Sequence, residues 1–151
     1  MIHRFNLEGG DLEIYDHGVT GRAAADLPTV AYDSAGALDI TRDDFDTEDP
    51  DTWGYTAPDR QVWGLAMHGG RLYYAVIGDS QIWSIGIDAT TGAFSDDPRW
   101  ELDVPKRPAK LPVSDIIFTQ LGAMILAQRG EITSTYDYAG FAKPGEARLY
   151  R

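Results

Sequence analysis

Apolar side chains recur at every second position in short windows bounded by Gly, Asp or Pro, the pattern of half-buried strands and not of helices. Ile2, Phe5, Leu12, Ile14 and Tyr15 fall in two such windows joined by Glu8-Gly9-Gly10. Paired glycines supply the positive φ that a tight turn needs, so residues 1–16 read as a hairpin. Further on, Val62 to Met67 (VWGLAM) meets His68-Gly69-Gly70, then Arg71 to Ile77 (RLYYAVI), the turn Gly78-Asp79-Ser80, and Gln81 to Ile87 (QIWSIGI). Arg99 to Val104 (RWELDV) follows a loop bearing Gly and Asp. Four sequential antiparallel strands make a meander.

The meander recurs. VWGLAMHGG-RLYYAVIG aligns with VSDIIFTQLGAMILAQRG, pairing Val62 with Val113, Leu65 with Ile116, Ala75 with Ala127 and Gly78 with Gly130, an offset of 51 residues that becomes 52 after the turn. After an insertion, ARLYR (Ala147 to Arg151) matches the strand from Gln81, with Leu149 on Ile82. A repeat of this length in an all-β chain points to propeller blades or to an array, and a propeller is the reading taken. The expected fold is all-β: a partial β-propeller of about two to three four-stranded antiparallel blades, incomplete as a single chain. Residues 1–16 supply the two outer strands of one blade, 17–61 a long acidic insertion, 62–104 a complete blade, and 113–151 three strands of a further blade with a loop at 131–146. Stacked repeats bury their faces only against neighbours. Unpaired edges are therefore expected to find other chains or missing sequence, with homo-oligomerisation the simplest closure.

In a meander the turns alternate between two ends of the sheet. The links at 8–10, 68–70 and 120–122, with the loop 88–98, share one end; the long segments 17–61, 105–112 and 131–146 share the other. Long loops inside a compact domain are usually functional or disordered, so any contact surface is expected at the long-loop end. Candidate contact residues there are His17, Arg22, Trp53, Tyr55, Arg129, Tyr136, Tyr138 and Phe141. His17 and Arg22 belong to Tyr15-Asp16-His17-Gly18 and Gly21-Arg22, where several hydrogen-bonding groups begin that end; a lone Asp-His pair can equally cap a turn. Trp53 and Tyr55 are the exposed candidates for stacking on a sugar, Arg129 lies within LAQRG, and the aromatics at 136, 138 and 141 either cover the blade or anchor a partner.

Charge narrows the partners. With 24 acidic groups against 13 basic ones the chain carries −11 at pH 7, which repels phosphate backbones and anionic lipid. Nucleic-acid binding is not expected. All three lysines, Lys106, Lys110 and Lys143, fall with Arg107 in the long-loop end. Zero cysteines exclude a disulfide framework, a thiolate zinc site and a cysteine nucleophile. The apolar stretch from Asp115 to Gln128 is too short to span a bilayer, and the alternating start MIHRFNL does not read as a signal peptide.

Motifs that could carry chemistry are weak. Asp44-x-Asp46-x-Glu48 imitates the first ligands of a calcium loop, but Asp49 stands where glycine is needed and Tyr55 where a bidentate glutamate is needed. A solvated acidic loop, closed by Pro50, is the favoured reading, and no cofactor is expected. Gly78-Asp79-Ser80 is similar to the nucleophile block of GDS-type esterases, yet no histidine follows His68. A tight turn explains it. The three histidines lack metal-ligand spacing, and three of the four tryptophans sit in strands, where packing accounts for them.

The blade pattern resembles six-bladed propellers of the NHL and gluconolactonase-like type, and YDHGVTGR, GGRLYYAV, QIWSIGI, SDIIF and LAQRG resemble a propeller region of large bacterial proteins. The resemblance implies a divalent metal held by Glu, Asn and Asp in the gluconolactonase-like members. Asn6, the sole asparagine, lies on an outer strand, so that site does not carry over; Asp115 alone near an inner strand is no active site. The expected function is a non-catalytic binding or assembly module, extracellular or at the cell surface, with the cytoplasm as the alternative compartment. The competing expectations are part of a propeller hydrolase or lactonase with ligands elsewhere, and a lectin-like carbohydrate binder.

Overall fold

A computed structural model describes residues 1–36, 39–49, 52–78, 80–105, 111–131, 143 and 145–151. Nine strands are present among them: β1 (Ile2–Phe5), β2 (Asp11–Tyr15), β3 (Val62–His68), β4 (Arg71–Val76), β5 (Gln81–Gly86), β6 (Arg99–Asp103), β7 (Val113–Phe118), β8 (Met124–Gln128) and β9 (Arg148–Tyr150). They form three antiparallel sheets with the orders β1-β2, β3-β4-β5-β6 and β7-β8-β9. Turn glycines sit where left-handed backbone is required, with φ of +55° at Gly69 and +74° at Gly70. The long insertion contains no strand among its described residues; it opens with a π-helical turn at His17–Gly21 and a single short helix, α1 (Arg22–Ala24), and ends in a 3-10 turn at Pro58–Arg60.

The sheets pack in series. Period-two alternation sends Tyr74, Val76, Trp83 and Ile85 to one side of the central sheet, where they share a core with Ile2 and Tyr15. Ala75 and Ile82 point the other way and join Val104, Val113, Ile116 and Leu126. Every residue of β5 is consequently buried. Trp83 is fully enclosed and stacks on Trp100 with ring centroids 6.1 Å apart.

The first hairpins of the central and last sheets pair in similar registers. Leu65 pairs with Tyr74 and Met67 with Leu72 in the central sheet. Ile116 pairs with Leu126 and Phe118 with Met124 in the last one. In each case the register slips early in the first strand, between Val62 and Leu65 and again between Val113 and Asp115. A bulge at the same place in both sheets bends the two strands alike.

These bent strands approach each other closely at Gly64, where a Cβ would stand 2.9 Å from the Asp115 amide nitrogen and 3.0 Å from its Cα. Backbone cannot retreat as a flexible side-chain tip can. Gly64→Ala is therefore expected to push β3 and β7 apart and cost about 1–3 kcal/mol, read as a lowered thermal midpoint.

Candidate functional site

The chain segment Tyr15-Asp16-His17-Gly18 leaves β2 and turns at once into the fold. Asp16 accepts a hydrogen bond from the Gly18 amide at 2.9 Å through one carboxylate oxygen and from Arg60 Nη2 at 2.8 Å through the other. Arg60 is buried and also donates to the Val30 carbonyl. Arg22 donates from Nε to the Pro28 carbonyl at 2.7 Å and lies 3.5 Å from the Asp59 carboxylate. One acid-base pair thus ties the end of the long insertion to Asp16 just past β2, and the other ties the start of the insertion to its end.

His17 is enclosed by aromatic rings. Its Nδ1 is 3.1 Å from Tyr74 Oη, which in turn lies 2.8 Å from Tyr15 Oη. The imidazole meets Trp83 edge-on at 4.7 Å. Nε2 is buried without a hydrogen-bond partner among the described residues. Burial, and then the Arg22 charge, push the imidazole down to about 3, so it is neutral at physiological pH. Burial raises the Tyr15 phenol to about 12 and that of Tyr74 further.

Two glycines make this close packing possible. A Cβ on Gly21 would lie 2.5 Å from both Tyr15 Oη and His17 Nδ1, and one on Gly18 would lie 2.5 Å from the Val30 carbonyl oxygen. Gly78, at the β4–β5 turn, similarly faces Asp59, whose Cα would be 2.8 Å from an added Cβ. Beside that contact is an open cleft of about 440 Å³ lined by Ala57, Pro58, Asp59, Ile77 and Gly78.

The residues singled out from the sequence divide between the interior and the surface. His17 and Arg22 are buried and spend their polar atoms inside the fold. Trp53 is half-buried, its indole nitrogen donating to the Asp46 carbonyl at 2.9 Å, while Tyr55 is exposed. Arg129 is half-buried with its guanidinium 5.8 Å from the Trp63 ring centroid. Tyr136, Tyr138 and Phe141 lie outside the described residues, as do Pro50, Asp79, Lys106, Arg107 and Lys110. Asp44 is held by Arg42 at 2.7 and 2.9 Å, and Asp46 caps the Glu48 amide at 2.8 Å. Among the described residues no group of three or more His, Asp or Glu is arranged to hold a metal.

Ser80 sits at φ +53° with its hydroxyl buried and unpaired among the described residues. The placement suits a turn, since an enclosed hydroxyl is closed to substrate. Arg60 and Tyr74 were not distinguishable by sequence: one looks like an ordinary loop arginine and the other like an ordinary strand tyrosine, and their partners lie 44 and 57 residues away. No helix among the described residues is long and apolar enough to cross a membrane. No family model matches the chain, nor does any curated protein or solved structure.

Proposed function

We propose that the chain is a non-catalytic β-propeller module used for binding and assembly, with the long-loop end as a contact surface and its outer sheets completed by other chains, by copies of itself or by missing sequence. The carrying observation is an asymmetry of burial. The inner strands of the central sheet are covered on both faces, with Leu65, Met67, Trp100 and Leu102 exposed only on its edge strands, whereas Phe5, Leu12 and Ile14 on the first sheet and Ile117 and Leu149 on the last stay exposed on faces that no sheet covers among the described residues. Strands whose pattern is that of half-buried sheets favour another layer there. The enclosed, neutral His17 and the buried Ser80 support a role other than acid-base or nucleophilic catalysis.

Sedimentation velocity over a range of concentrations tests this reading. The expected result is a mass above the 16.6 kDa of one chain, falling to that value in Ile117→Glu or Leu12→Glu. A folded monomer at every concentration, indifferent to both substitutions, counts against assembly through copies of itself.

A further inference from the structure

The repeat allows the same position to be compared in two sheets of one molecule. Ile116 and Leu65 occupy equivalent places, each just past the bulge and each paired with the corresponding residue of the next strand. Ile116 is 2% exposed and Leu65 is 50% exposed. Phe118 packs against the core shared by the central and last sheets, while its equivalent Met67 is 57% exposed. The difference lies in what covers them. In the last sheet the covering element is the β3–β4 hairpin, which offers Trp63, Ala66, Tyr73 and Ala75 to that core. Over the central sheet stands the β1–β2 pair, which with His17, Ala25, Leu27 and Phe94 covers Tyr74, Trp83 and, at the start of β3, Val62, but leaves Leu65 and Met67 exposed.

We infer that Leu65 and Met67 form the floor of an acceptor for an antiparallel β-hairpin supplied by a partner chain, which pairs with the edge of β1 that no described strand occupies and extends the first sheet in the order the central sheet shows. Its underside carries small and aromatic residues of the kind β3–β4 presents to the last sheet, because the two floors correspond in register. Main-chain pairing along β1 supplies affinity, and the Leu65 and Met67 contacts supply selectivity. The inference deepens the proposed assembly role by naming one acceptor and one kind of partner.

A direct test uses the hairpin already known to fit such a floor. Residues 62–77 are fused ahead of Met1 of the full chain through a short Gly/Ser linker, which raises the effective concentration of the hairpin. The thermal midpoint is expected to rise by about 5 °C, the shift that follows from covering two large apolar side chains in a domain of this size. Amide exchange in Ile2–Phe5 is expected to slow by about tenfold or more as the edge becomes paired. Leu65→Thr with Met67→Thr removes both gains. In the unfused chain the same pair of changes leaves the midpoint within about 1 °C, because both side chains are already in solvent and threonine keeps strand propensity. A fused chain with unchanged midpoint and exchange overturns the inference, and so do gains that survive the double substitution. Self-association of the unfused chain that disappears with the double substitution also overturns it, since the occupant would then be a second copy. Sedimentation of the unmodified chain reports on self-assembly independently, so failure of that reading and failure of this one are separable.

Discussion

Lowering the pH from 6.5 towards 3 is expected to cost the fold up to about 5 kcal/mol through His17 alone. In the unfolded chain the imidazole takes up a proton near its ordinary value of 6.5, while in the folded one burial holds it down to about 3. Over that window the unfolded state binds more protons, so stability is fully present above pH 6.5 and falls as the pH falls. The groups facing the ring explain why a charge is not accommodated: Tyr74 and Trp83 offer aromatic edges, and Arg22 and Arg60 are cations, with only Asp16 opposing them. Asp97, whose carboxyl is lowered chiefly by its hydrogen bond from Arg71, contributes in the same direction but below its ordinary value of 3.8. Urea titrations at pH 7 and pH 5 isolate the histidine, because most carboxylates are still ionised at both. His17→Gln should flatten most of the difference; an equally steep loss in that variant would assign it elsewhere.

Removing the partner of a buried cation is the other large perturbation. Asp16→Ala leaves the Arg60 guanidinium, 2% exposed, with the Val30 carbonyl but without its carboxylate. Breaking a buried ion pair in this way costs about 3–5 kcal/mol, and the 27% exposure of Asp16 brings the expectation nearer 3. The loss of the Gly18 amide contact acts in the same direction. The midpoint of urea denaturation should fall with little change in slope. Replacing both members, Asp16→Ala with Arg60→Met, should recover part of the loss by removing the uncompensated charge. A midpoint within experimental scatter of the parent for Asp16→Ala would show that Arg60 finds solvent.

The strands were legible because their signals are local. Alternation over Arg71 to Val76 and the Gly69-Gly70 turn need nothing beyond neighbouring residues, and β3 to β6 fall where they were expected. Leu65 and Met67 show the limit. Parity assigns them to the face they share with Tyr74, but exposure depends on whether another sheet covers that part of the face. The enclosed histidine was harder still. Asp16-His17 reads as a turn cap, and part of that is present in the contact to the Gly18 amide, but the aromatic cage comes from β4 and β5 across a long aperiodic insertion. Nothing in residues 17–61 repeats with period two, so their path could not be followed by pattern. A burial preference is a property of the whole packing arrangement, whereas a turn is a property of four residues.

The serial arrangement of the sheets has a consequence for how the molecule comes apart. Each core cluster includes residues of β4 and β5, so neither end sheet can be peeled away without baring one side of the middle one, while the middle one cannot leave without dismantling both. Fraying therefore begins at the extremities and travels inward, and the segment from Arg71 to Gly86 is the last to surrender to a protease.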